Sequence, residues 1–123
     1  MAKPATAPKP PIAPHRLKID YVEFSSPRLE ATESFFAKAF GWSFIPYGPD
    51  YRDIQAAGLG GGIARGPERA PLIVLKTDDL DAALATLRAA GAKITAGIFE
   101  FPGGRRFEFT EPGGTAMAVW SDT

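Results

Sequence analysis

Apolar and polar residues alternate through Ile19-Asp20-Tyr21-Val22-Glu23-Phe24-Ser25, the two-residue period of a half-buried strand. Val22 and Phe24 then share one face, and Tyr21 and Glu23 share the other. Ser26-Pro27 supplies a cap residue and a proline at the first helical position, where a missing N–H costs nothing. Leu29, Phe36 and Phe40 follow at helical spacing, Glu30 and Glu33 favour the positive end of the helix dipole, and Gly41 ends the helix. Three short extended stretches come next, 42–47, 51–56 and 60–64, separated by Gly48-Pro49-Asp50 and Gly58.

The second half repeats this order. A strand over 72–76 leads to a cap at Asp78 or Thr77, then to a helical stripe of Leu80, Ala83, Leu84 and Leu87 that stops at Gly91. Strands over 93–101, 105–110 and 116–120 are separated by turns at Pro102-Gly103-Gly104 and Glu111-Pro112-Gly113-Gly114. At an offset of 51, Tyr21 falls on Leu72, Leu29 on Leu80, Glu30 on Asp81 and Ala31 on Ala82. Each half reads β-α-β-β-β, and one such unit of about 50 residues leaves a sheet face uncovered. The expected fold is therefore α+β. Two βαβββ modules, near 17–66 and 70–121, form a curved mixed sheet, a cup, with the helices on its outer face. Residues 1–16 carry prolines at 4, 8, 10, 11 and 14, which favours a disordered, extended tail ahead of the 17–123 domain.

Composition narrows the function classes. The 123 residues are 45% hydrophobic and 23% charged, with 14 basic and 14 acidic groups. That balance gives no basic face for nucleic acid or an anionic membrane, and no apolar run is long enough to span a bilayer. With no cysteine, thiolate metal sites, disulfides and Cys nucleophiles are excluded. The N-terminus has no apolar signal region. A cytoplasmic location fits these features.

The paired modules, with Phe40-Gly41-Trp42 after the first helix and the late Glu111-Pro112-Gly113-Gly114 turn, resemble the vicinal oxygen chelate superfamily. That group includes glyoxalase I, extradiol dioxygenases, and fosfomycin- and bleomycin-resistance proteins. Gly60-Gly61-Gly62-Ile63, Thr77-Asp78-Asp79-Leu80-Asp81-Ala82 and Phe101-Pro102-Gly103-Gly104 are similar to its glyoxalase-like branch. The resemblance spans roughly 17–121 and implies a homodimer. It also implies a divalent cation in the cup, held by His and carboxylate side chains from both modules. Those ligand positions fall here on Tyr21, Gly62, Leu72 and Ala118. Gly, Leu and Ala have no donor side chain and a neutral tyrosine is a poor ligand, so the usual metal site is missing and no cofactor is expected.

Other chemistry has little to stand on. His15 is the sole histidine and follows the Pro-rich segment, so a Ser-His-Asp triad lacks context. Asp78, Asp79 and Asp81 read as a capping cluster, because a Ca²⁺ loop needs alternating ligands and a glycine at fixed spacing. Gly58-Leu59-Gly60-Gly61-Gly62 runs into Ile63-Ala64-Arg65-Gly66-Pro67 rather than opening a helix, so it is not a dinucleotide fingerprint. What remains is the cup, with Tyr21, Glu23, Leu72, Arg106 and Trp120 as candidate ligand-binding residues. An aromatic, mostly apolar pocket suits a small uncharged or mixed aromatic molecule. The leading expectation is metal-independent binding of such a ligand. The rival is a lyase, isomerase or dioxygenase with an atypical metal site, in which Glu23 is a candidate catalytic base. A third reading, sequestration of a cationic drug, asks for a more acidic groove than this chain offers.

Overall fold

The computed structural model describes residues 17–123; the expectations for residues 1–16, including any role of His15, lie outside them. The elements are β1 (Lys18–Ser26), α1 (Leu29–Phe40), β2 (Ser43–Pro46), β3 (Tyr51–Gln55), β4 (Gly60–Arg65), β5 (Leu72–Lys76), α2 (Leu80–Ala89), β6 (Lys93–Phe101), β7 (Gly104–Thr110) and β8 (Ala116–Ser121). Both halves follow the expected β-α-β-β-β order, in a mixed α+β fold. The chain divides inside β5 into two compact units, Ile19–Val74 and Leu75–Thr123, the latter taking in Lys18.

In the first unit the strands run in the order β2-β3-β4-β1. β1 pairs with β4 in parallel, Glu23 opposite Gly62 and Phe24 opposite Ile63, whereas β2–β3 and β3–β4 are antiparallel. One face carries the apolar residues that the alternation assigns to it. Leu29 of α1 is buried with Ile54 and Ile63, and Phe24, Phe36, Trp42 and Phe44 pack around them. Phe24 meets Phe36 edge-on at 5.1 Å, which fixes the helix side of β1.

In the second unit the order is β5-β8-β7-β6. Phe107 and Phe109 of β7 and Val119 of β8 are buried against Leu80, Ala82 and Ala83 of α2. The β7–β8 register places Arg106 opposite Trp120 and Glu108 opposite Ala118. Because side chains alternate, these four residues share the face away from α2.

Three local expectations shift. α1 begins at Leu29, not at Pro27: Pro27 and Arg28 form a turn in which the Ser26 hydroxyl accepts the Arg28 N–H at 3.0 Å. A serine bonding the backbone two residues on stabilises a turn as readily as a helix start. α2 is capped by Asp79, whose Oδ1 accepts the Ala82 N–H at 3.1 Å; Thr77 is two residues earlier, with its hydroxyl accepting the Asp79 N–H. Phe40, expected on the buried stripe, stays 52% exposed, stacked on Phe36 and tilted against Trp42. Gly41 closes α1 in the left-handed conformation, φ 75°, as its position after the helix requires.

Candidate functional site

Glu23 projects from the face of β1 away from α1 and is only 5% exposed. A carboxylate so deep needs partners, because its desolvation is otherwise costly. Tyr51 of β3 donates its hydroxyl to Glu23 Oε2 over a long 3.3 Å, and Arg69 Nη2 stands 3.7 Å from Oε1. The phenol reaches Glu23 by crossing Gly62: a Cβ built on that residue would lie 1.9 Å from Tyr51 Oη and 2.6 Å from its Cζ. The glycine run thus clears a path for an aromatic ring, the close approach expected of glycine within a strand. Tyr21, two residues before Glu23, lies opposite Gly60 on the same face and is half-buried. Leu72, the remaining candidate of this unit, is 2% exposed.

In the second unit Arg106 is 8% exposed and ion-pairs with Glu108 at 2.7 Å. Its guanidinium lies 5.8 Å from the centre of the Phe99 ring. Trp120 is half-buried, with Lys76 Nζ 4.7 Å over its ring and Phe101 at 6.1 Å; Lys76 also ion-pairs with Asp122 at 3.3 Å. Trp120 therefore stands in an aromatic and cationic setting on the face free of α2. The polar pair Arg106 and Glu108, which alternation could assign to either side, belongs to that face.

Glu23 is thus brought together with Tyr51 and Arg69, and Arg106 and Trp120 occupy facing positions in the β7–β8 ladder. Tyr51, Arg69 and Phe99 are the residues the sequence reading passed over. Phe99 was available from alternation beside Ile98, which packs in the core. Tyr51 could have been sought from the three glycines 60–62, which leave a strand face bare for a ring from the neighbouring strand.

The cation implied by the resemblance does not fit these residues. Its four positions are Tyr21, Gly62, Leu72 and Ala118, and at Gly62 the space for a ligating side chain is filled by the Tyr51 phenol. Among the described residues, no group of three or more His, Cys, Asp or Glu is arranged to hold a metal ion. Among them, too, no helix is long and apolar enough to cross a membrane.

Solved structures share this fold. The Mn(II)-bound glyoxalase from Novosphingobium aromaticivorans is 27% identical, with a TM-score of 0.66 over 87% of this chain and 40% of that one. The present chain thus spans well under half of that relative. Methylmalonyl-CoA epimerase from Mycobacterium tuberculosis is 14% identical, with a TM-score of 0.65 over 89% of this chain and 91% of that one. A protein from Legionella pneumophila described as an NAD-dependent benzaldehyde dehydrogenase is also 14% identical, with a TM-score of 0.68 over 82% and 96% of the two chains. These last two show shared fold alone. No curated protein matches the chain. The family model described as Glyoxalase/Bleomycin resistance protein/Dioxygenase superfamily matches residues 18–119, nearly all of the two βαβββ units, and the chain belongs to that superfamily.

Proposed function

We propose that the protein binds a small, partly aromatic or apolar molecule without a metal, using the helix-free faces of its modules. Tyr21, Glu23 and Leu72 serve in the first module, and Arg106 and Trp120 in the second. The observation that carries this reading is the Tyr51–Glu23 pair over Gly62. Where relatives of this fold class would present a metal ligand, this chain presents a phenol and a buried carboxylate, groups that orient a ligand by hydrogen bonds. Trp120 offers the stacking surface that an aromatic ligand rewards. The protein is proposed to act as a cytoplasmic homodimer.

The test is a ligand-observed NMR screen of uncharged aromatic metabolites against the full chain after dialysis with EDTA. Binding should survive chelation and weaken about tenfold or more in Trp120→Ala, the effect of losing one buried aromatic contact. Binding that appears only after Mn²⁺ is added, or that ignores Trp120→Ala in a folded variant, would sink the proposal. The same Glu23 geometry favours a second reading, in which the protein is a lyase, isomerase or dioxygenase of the superfamily with an atypical metal site. A buried carboxylate within reach of a phenol can take a proton from carbon next to a carbonyl. Turnover abolished by Glu23→Gln would select that reading.

A further inference from the structure

A pocket of about 400 Å³ opens in the first module between the end of β1, the first turns of α1 and residues 68–69. Its volume lies at the lower end of small-molecule sites, about 300–1,000 Å³. Phe24 and Phe35 form apolar walls, and Ser26, Arg28, Glu68 and Arg69 supply the polar groups. Phe35 is 59% exposed, a large apolar surface left facing water beside two guanidinium groups.

The polar groups are arranged to donate. Ser26 is about nine-tenths buried, and its oxygen takes both the Arg28 N–H at 3.0 Å and the Thr32 hydroxyl at 2.8 Å. The hydroxyl proton rotates about the Cβ–Oγ bond, so Ser26 can donate to a ligand while its oxygen accepts. The Arg28 guanidinium makes no hydrogen bond or ion pair among the described residues. Arg69 ion-pairs with Glu23 through Nη2 at 3.7 Å, and a guanidinium with five N–H donors keeps others to offer a ligand. Glu68 at the opening and Glu23 beside Arg69 oppose these donors, so the charge around the opening suits a monoanion better than a dianion.

We propose that this pocket binds a small monoanionic carboxylate with an aromatic or apolar body. The carboxylate accepts from Arg28, Arg69 and the Ser26 hydroxyl, and the body lies against Phe24 and Phe35. A carboxylate matches the planar guanidinium donors, while Glu68 disfavours a dianion such as phosphate. The proposal stands apart from ligand binding on the helix-free faces in every residue but Arg69, which also pairs with Glu23.

The experiment is an amide chemical-shift titration of the full chain with phenylacetate, beside 2-phenylethanol and inorganic phosphate. Saturable shifts are expected at residues 24–36 and 68–69 with phenylacetate, and neither control should reproduce them. Arg28→Gln should weaken binding about tenfold or more, the effect of removing a charge-assisted hydrogen bond. Ala31→Trp, which fills the pocket from its wall, should abolish binding; wild-type amide dispersion in both variants verifies their fold. Absence of a saturable shift, unchanged affinity in Arg28→Gln, or equal binding of phosphate overturns the proposal. Shifts centred on Trp120 and Glu23 overturn it too, and support the helix-free faces instead.

Discussion

Two glycines show how the same small residue answers to different neighbours. At Gly62 an added Cβ would meet the Tyr51 side chain, 1.9 Å from its hydroxyl oxygen. At Gly104 it would meet the backbone oxygen of Ser121 at 2.0 Å, with φ at +155°. A ring on a half-buried tyrosine can swing aside, but the β7–β8 ladder that holds Ser121 cannot move without losing its register. Gly62→Ala should therefore cost about 1–2 kcal/mol, an overpacking penalty, and Gly104→Ala about 3 kcal/mol, with strain added. Urea denaturation midpoints check the order. In a Tyr51→Ala background the cost of Gly62→Ala should nearly vanish, since the clash partner is gone. Equal costs with and without Tyr51 would show that the ring does not fill that space. This residue-scale relation was hidden in the sequence for a physical reason. Glycine signals only that something comes close, while Tyr51 and Arg69 reach Glu23 from 28 and 46 positions along the chain, through strand pairing that no local pattern encodes.

At the scale of elements, alternation and glycine punctuation place every strand to within one or two residues of its position, because the exposed and buried faces differ in polarity along most of them. Helix starts were less legible. Thr77, Asp78 and Asp79 are all chemically fit to cap, and only backbone geometry selects Asp79. Charge ties α1 to its sheet. Arg65 of β4 bonds Glu30 of α1 and also pairs with Asp50 at 2.9 Å, while Arg52 of β3 pairs with Glu33 at 2.9 Å. The hydrogen bond from Arg65, followed by a backbone hydrogen bond, holds the Glu30 carboxyl below the ordinary glutamate range. A carboxyl depressed on folding contributes stability above its unfolded pKa, about 4.3, and loses it as pH falls through the lower folded value. The advantage of wild type over Glu30→Gln in urea midpoint should thus be present at pH 7 and fade below about pH 4. Since Glu30 is exposed, 0.5 M salt should shrink it as well. A difference as large at pH 3 as at pH 7 would assign the effect to something other than this ion pair.

For the whole molecule, the doubled β-α-β-β-β pattern made the superfamily legible, since the repeat fixes both modules and their helix-covered faces. Chemistry was legible mainly by subtraction: Gly62, Leu72 and Ala118 lack donors, the chain has no cysteine, and its one histidine is His15. Subtraction leads to a prediction about metals. Carboxylates without imidazole or thiolate hold Zn²⁺, Ni²⁺ and Fe²⁺ poorly in water, because these borderline ions favour nitrogen and sulfur donors. Mn²⁺ accepts oxygen ligands more readily, yet Glu23 is already engaged by Tyr51 and Arg69, and the Tyr51 ring fills the space above Gly62. A cation bound to the folded state alone stabilises by RT ln(1 + [L]/Kd), about 2.7 kcal/mol at a hundredfold excess over Kd. For a domain of this size that corresponds to a rise in melting temperature of roughly 8 °C. Neither Zn²⁺, Ni²⁺, Fe²⁺ nor Mn²⁺ should produce such a rise, and EDTA should leave the melting temperature of the purified protein unchanged. One metal per chain by elemental analysis, with stability lost on chelation, would reverse this conclusion. Tyr51 would then have to leave Glu23 for a ligand set to assemble, and Glu23→Gln would be the first variant to test for loss of the metal.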